Sequence, residues 1–131
     1  MKPTKSTKEM GAVGERIAAR YLLLHGYLIK ERNWYAGHME IDIIAESLRS
    51  VAFVEVKART YTKETLATAP PPRSAVRAEK QRLTRKAASQ YLHLHPTKKQ
   101  PRMDVIEISF LKSEDGKKTK VVKIQHLKGA Y

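Results

Sequence analysis

Two apolar runs with acids embedded in them, Glu40–Ala45 and Val51–Ala58, are separated only by the five residues Glu46–Ser50. No other part of the chain constrains its fold as much. Both runs are rich in β-branched residues and read as strands, and the short polar link makes a hairpin the simplest connection. Side chains on a strand alternate between faces. Ile41 and Ile43 are therefore expected on one face, with Glu40, Asp42 and Ile44 on the other. In the second run Val54 and Val56 share a face, and Phe53, Glu55 and Lys57 share the opposite one. With Ser47–Ser50 as the loop, Glu46 opposes Val51, and counting outward sets Asp42 across from Glu55. Opposed residues on one face hold their Cβ atoms about 4.5–5.5 Å apart. Two carboxylates that close repel by roughly 3 kcal/mol at an effective dielectric near 20. A divalent cation, with Lys57 two residues on, would compensate. The same residues also fit an amphipathic hairpin whose polar face meets water, Glu55 and Lys57 being solvated charges. Taken alone, they leave both readings open.

Around the hairpin, residues 1–9 read as a flexible basic tail and 10–131 as a single domain. Ser6 and Glu9 have capping-box spacing, which predicts a helix starting near Thr7 or Lys8. Val13, Ile17, Tyr21 and Leu24 continue it at helical intervals, and Gly26 stops it. Tyr27 to about Arg32 is predicted as a short strand and Asn33–Met39 as a loop. Thr60–Ser74 carries Pro70-Pro71-Pro72 and reads as a long surface loop. Ala75–Leu92 is predicted as a second helix with Val76, Leu83, Ala87 and Tyr91 inward. Met103–Phe110 and Val121–Leu127 are predicted strands joined by a turn at Asp115-Gly116. Helix, three strands, helix and two strands make an α/β chain with a mixed sheet.

Charge narrows the function. The 131 residues hold 26 Lys+Arg against 13 Asp+Glu, a net charge of +13. That balance is the profile of a polyanion binder. Nine basic residues lie between Arg73 and Arg102, against Glu79 alone, whereas five acids gather between Glu31 and Lys57. A basic chain that collects acids in one place is expected to use them there. The absence of cysteine excludes disulfides, Cys-based zinc sites and thiol nucleophiles. No apolar run approaches the roughly 20 residues of a membrane span. The opening MKPTKSTKEM lacks the apolar core of a secretory signal, so a cytoplasmic location is the expectation. No basic helix carries a broad apolar face, so membrane-surface binding is not expected.

An Asp, twelve residues and then Glu-x-Lys, in an αβββαβ order, resembles the PD-(D/E)xK nuclease superfamily with its restriction-endonuclease-like fold. The chain also resembles the YraN-type UPF0102 family over roughly Gly11–Ile108. The residues that carry this are Gly14-Glu15, Ala18, Tyr21-Leu22, Gly26-Tyr27 and Asn33. Glu40-Ile41-Asp42-Ile43-Ile44-Ala45, Phe53-Val54-Glu55-Val56-Lys57-x-Arg59, Lys80 and Arg102-x-Asp104-Val105-Ile106 complete the series. Met39 stands where that family usually has glycine, with Gly37 two residues earlier.

The resemblance implies a restriction-endonuclease-like αβββαβ core plus a C-terminal strand, and Mg²⁺- or Mn²⁺-assisted hydrolysis of phosphodiesters in DNA, branched or structured DNA included. Asp42, Glu55 and the Val56 carbonyl would be metal ligands, with Glu15 contributing directly or through water. Lys57 would orient the attacking water or stabilise charge at phosphorus. Lys80 would contact phosphate, and Glu40 would lie just outside the site. Arg59, Arg73, Arg77, Arg85 and Lys86 would follow the backbone of the nucleic acid. A run of charge on a helix also fits plain solvation. Trp34 and Tyr35 fit either base stacking or anchoring in the core, and His93 and His95 fit a surface or packing role. The alternative function is a nucleic-acid-binding module without cleavage, and homodimerisation is left open.

Overall fold

In the computed structural model, residues 7–69 and 77–131 are described. The elements are α1 (Thr7–Leu24), β1 (Leu28–Ala36), β2 (Met39–Glu46), β3 (Ser50–Tyr61), α2 (Lys63–Ala67), α3 (Ala78–Leu94), β4 (Gln100–Lys112) and β5 (Thr119–Leu127). The strands form one mixed sheet in the order β1-β2-β3-β4-β5. Only β3 and β4 run parallel, because the chain between them crosses the sheet through α3; the other neighbours are antiparallel.

Each face of the sheet is covered by one long helix. On one side Met10, Ala18 and Leu22 of α1 pack on Ile43, Ala45, Ala52, Val54, Ile106 and Ile108. On the other, Ala87, Ala88 and Tyr91 of α3 pack on Ile44, Val51, Phe53 and Met103. Burial on both faces explains why β3 and β4 read as nearly continuous apolar runs. Gly14 allows the approach of α1 to β3. A Cβ there would stand 3.0 Å from the Cβ of Ala58, which the backbone of the strand holds in place. Val56 and Ala58 thus face α1, and Glu55 and Lys57, of opposite parity, face α3.

The β2–β3 hairpin has the register read from the sequence, Glu46 opposing Val51 and Ile43 opposing Val54. Several other expectations are corrected. α1 begins at Thr7, where the spacing of the helix signal predicts it, so it takes in residues 7–9 of the stretch read as tail. β1 continues through Asn33–Ala36, pairing Trp34 with Ile41 and Ala36 with Met39. What looked like a loop is therefore a strand and a two-residue turn at Gly37-His38. Gly37 supplies the positive φ (62°) of that turn, and Met39 opens β2. Ile41 and Ile43 do not share a layer. Ile41 packs with Trp34 and Met39 toward α3, and Ile43 packs toward α1. The paired residues of β2 and β3 end at Ile43 and Val54, and beyond them β1 and β2 continue as a two-stranded ribbon, which twists more than a sheet does.

The short helix α2 lies where the sequence predicts a loop. It is capped by Thr62, with Thr65 returning the hydrogen bond, a pairing without the Glu or Gln of the usual signature. α3 starts at Ala78, after the extended Arg77; the expected start at Ala75 lies outside the described residues. Its buried residues are Thr84, Ala87, Ala88 and Tyr91. Ser6, the three prolines, Arg73 and Val76 lie outside the described residues.

One end of the sheet is clamped by Asp104, which is fully buried. Its Oδ1 accepts from Arg102 Nε (2.8 Å) and Gly129 N (3.0 Å), and its Oδ2 from Arg102 Nη2 (2.8 Å) and His126 Nε2 (2.6 Å). Arg102 also donates to the Tyr27 hydroxyl. Burial opposes ionisation of Asp104, yet the hydrogen bonds from His126, Arg102 and Gly129 outweigh it and hold the carboxyl at about 2. A depressed carboxyl stabilises the fold above its unfolded value, near 4, and that contribution, on the order of 2 kcal/mol, is lost as pH falls through about 2. Asp104→Asn is expected to cost about 3–5 kcal/mol at pH 7, because it leaves the Arg102 guanidinium without its counter-charge and the buried His126 short of an acceptor. Urea denaturation of both proteins from pH 7 down to pH 2 measures this, and the gap between them should narrow at the acid end.

Candidate functional site

The site forms where β2 and β3 part. By the register, Asp42 and Glu55 are the next opposed pair after Ile43 and Val54, but no backbone pairing is made there. Asp42 fills the gap with its side chain, Oδ2 accepting from Val56 N at 2.8 Å. A strand sends the N–H and C=O of one residue to the same side, so the Val56 carbonyl is directed toward the same opening.

Asp42 and Glu55 line one cleft with Met39, Glu40, Ile41, Phe53, Val54, Lys80 and Thr84. Its free volume is about 20 Å³, room for one water-sized occupant. Burial raises the Asp42 carboxyl most. The Val56 N–H pulls it back, and the charges of Glu15, Glu55 and Glu40 push it up again, leaving it at about 6. Glu55 is 14% exposed at its side chain. Lys80 holds its Oε1, while Oε2 is buried with no hydrogen-bond partner among the described residues.

The other predicted site residues divide into groups. Lys57 follows Glu55 on the α3 side of β3, half-buried and without an ionic partner among the described residues. Glu15 approaches from α1 but is held by Asn33, whose Nδ2 donates to Oε1 at 2.8 Å. Asn33 sits at a φ of 51°, a left-handed conformation that asparagine tolerates better than most residues. Glu15 acts on Asp42 by its charge and does not line the cleft. Among the described residues no three His, Asp or Glu side chains are close enough together to form a ready metal cluster. Glu40 accepts the Tyr35 hydroxyl, which this bond, together with the Glu40 charge, pushes above its ordinary value.

The predicted backbone-tracking cations also separate. Lys80 turns into the site, as the ion pair with Glu55. Arg59 is paired with the buried Glu107 at 3.2 Å. Arg77 precedes α3 as its uncapped first residue, and Arg85 and Lys86 are exposed on the same helix. Lys86 borders a second groove, with Gly37, His38, Met39, Leu83 and Gln90. Trp34 is on β1 and packs edge-on against Tyr91 (5.3 Å), which is core anchoring. His95 stacks on Tyr91 at 4.3 Å, and His93 is exposed.

Sequence reasoning missed Thr84 and Tyr131. Thr84 sits on the buried side of α3, where a lone threonine looks like part of the helix. Tyr131 packs against the α3 cluster from the far end of the described chain, and no local pattern shows that return.

A carboxyl raised in the folded state binds its proton there more tightly than in the unfolded chain. Its ionised form therefore destabilises the fold, and stability falls as pH rises from about 4 to about 6. Asp42→Asn keeps an acceptor for Val56 N–H and removes the charge. The variant should be more stable than the parent at pH 7.5 without divalent ions, by on the order of 2 kcal/mol. Below pH 4 the advantage should vanish. Thermal melts of both proteins across this range measure it.

Among the described residues no helix is long and apolar enough to cross a membrane. The sequence pattern of the Uncharacterised protein family UPF0102 matches residues 14–108, a span that contains Glu15, Asp42, Glu55, Lys57 and Lys80. A UPF0102 protein of Chlorobium chlorochromatii is 39% identical over 131 residues, covering 100% of this chain and 97% of the relative. One from Bacteroides thetaiotaomicron is 37% identical over 123 residues, covering 94% and 92%. One from Caldanaerobacter subterraneus is 39% identical over 125 residues, covering 95% of each. The chain therefore belongs to the UPF0102 family.

Proposed function

We propose that this chain is a divalent-cation-dependent endonuclease that hydrolyses phosphodiester bonds in DNA, with branched or structured DNA as the preferred substrate. The observation that carries the reading is the buried, unpartnered Oε2 of Glu55 in a cleft shared with a desolvated Asp42. A basic chain gains nothing from keeping two acids this close unless a cation joins them. The element order α1, β1–β3, α3, β4 supports a restriction-endonuclease-like core of the PD-(D/E)xK kind.

The donor set fits a hard cation. Carboxylate oxygens of Asp42 and Glu55 and the Val56 carbonyl are the ligand types that Mg²⁺ and Mn²⁺ take, and waters complete the set. When bound, such an ion neutralises charge at the scissile phosphate and acidifies water. Glu15 is a candidate to join the site through water once released from Asn33. Lys57, half-buried and lacking an ionic partner among the described residues, places a point charge beside the cleft, where it orients water or stabilises the phosphorane-like transition state. Arg77, Arg85 and Lys86 lie along α3 beside the cleft and provide a path for the phosphate backbone.

A second reading, a nucleic-acid-binding module without cleavage, is favoured by one contact. Lys80 already satisfies half of Glu55, so the protein's own cation can stand in for a metal.

Cleavage of a panel of branched, duplex and single-stranded DNA and RNA in Mg²⁺ or Mn²⁺ separates the two. Asp42→Asn and Glu55→Gln are each expected to lose cleavage by orders of magnitude, with metal-free binding unchanged or tighter. Lys57→Met should also lose cleavage but retain cation affinity. A wild type that binds the panel and cuts nothing establishes the binding module instead. Binding itself should weaken steeply with salt, as counterion release requires. Replacing Arg77, Arg85 and Lys86 by glutamine should flatten that slope, and titrations at two salt concentrations measure it.

A further inference from the structure

Three buried polar atoms at the edge of the cleft have no hydrogen-bond partner among the described residues: Glu55 Oε2, Thr84 Oγ1 and Tyr131 Oη. Such atoms are rare in folded proteins, and each costs free energy while unpaired. Thr84 is only 5% exposed and lines the same cleft as Glu55 and Asp42. Burial holds the Tyr131 hydroxyl above its ordinary value; Thr84 lies close enough to oppose this in part, and the charges of Glu55, Lys80 and Arg85 also reach it. Even so, neither hydroxyl completes a hydrogen bond of normal geometry. The guanidinium of Arg85 lies 5.5 Å above the Tyr131 ring and covers it. Two hydroxyls and a carboxylate oxygen that converge without satisfying one another are a cradle for water molecules, each of which needs two to four such partners.

We propose that Thr84 and Tyr131 are positioning residues whose hydroxyls hydrogen-bond the hydration shell of a divalent cation held by Asp42 and Glu55, and that Lys80 keeps the place of that cation on Glu55 until it arrives. This rests on the metal-dependent reading above. The two hydroxyls donate and accept, so they suit ordered water, whereas a dry cavity would be lined by apolar atoms. Lys80 has a flexible four-carbon stem and a side chain about half exposed. Leaving Glu55 therefore costs it little, and the freed charge can turn to a phosphate. Outer-sphere hydrogen bonds of this kind are worth about ten- to a hundred-fold in metal affinity.

The test is a titration of the metal-free protein with Mn²⁺, followed by the loss of the free-ion electron paramagnetic resonance signal, with no nucleic acid present. Thr84→Val and Tyr131→Phe, which keep shape and packing, should each weaken Mn²⁺ binding by about ten-fold or more. Thr84→Ser keeps the hydroxyl and should restore it. Lys80→Gln removes the competing cation and should tighten binding severalfold, the opposite sign from the other two. In the metal-free state Thr84→Val should melt no lower than the wild type, since it removes an unpaired buried hydroxyl. If wild type binds Mn²⁺, Asp42→Asn abolishes binding, and Thr84→Val and Tyr131→Phe bind as tightly as wild type, the cradle is overturned while the metal site stands. An unchanged affinity in Lys80→Gln overturns the competition. No Mn²⁺ binding by the wild type overturns the metal-dependent reading, and the cradle with it.

Discussion

The hydrogen bond from Val56 N–H to the Asp42 carboxylate is the contact on which the candidate site depends. A buried backbone donor must find an acceptor. Inside a sheet the next strand supplies one, but here β2 runs with β1 away from β3 on the Asp42 side of Ile43, where the pairing with β3 lapses. The carboxylate takes over as acceptor at 2.8 Å. This keeps the two strands together while leaving a gap between them, with Glu55 and the Val56 carbonyl on its rim. A backbone acceptor at this position would continue the ladder and close the gap. An apolar side chain would leave the donor unsatisfied. Asp42 thus opens the sheet at one point and prevents it from fraying there.

Strand parity and a symmetric count across a short loop are local rules, and they hold wherever the chain is paired. Glu46 opposes Val51 and the register continues to Ile43 and Val54, so the convergence of Asp42 and Glu55 was legible. The rules fail where pairing ends. Parity set Ile41 with Ile43, but the twisting β1–β2 ribbon carries Ile41 to the α3 layer. Asn33 concealed the length of β1, because an asparagine ahead of Trp34-Tyr35 and Gly37 reads as the start of a loop. In the structure its left-handed backbone lies within the strand and its amide reaches Glu15.

Charge was legible in sum and not in detail. The excess of Lys and Arg between Arg73 and Arg102 is plain in the sequence, but nothing there shows which side chain turns inward. Lys80 reaches a carboxylate 25 residues earlier in the chain, and Arg102 reaches the buried Asp104 and Tyr27. Arg59 spends its charge on Glu107. Fewer cations than the count suggests are left to meet a polyanion, and those on the outer side of α3 are the best placed. A helix shows one face to the sheet and another to solvent, and only packing against β2 and β3 decides which of its basic residues falls at the border.

Two aspartates in one sheet differ in how their charge is met. Asp104 is fully buried, yet it is held at about 2 because four hydrogen bonds, two from Arg102 and one each from His126 and Gly129, reach its oxygens. Nothing is left for it to bind. Asp42 sits at about 6, because burial raises it, a single backbone donor only partly offsets this, and Glu15, Glu55 and Glu40 push it further up. The difference is one of supply. A fold that needs a carboxylate only for stability surrounds it with donors, as β4 and β5 do for Asp104. Leaving Asp42 short of donors, next to Glu55 with an unpaired oxygen, lowers stability, a deficit that the cation proposed above would remove. On that proposal the same deficit would be the driving force for binding, and it falls where the pairing of β2 and β3 ends.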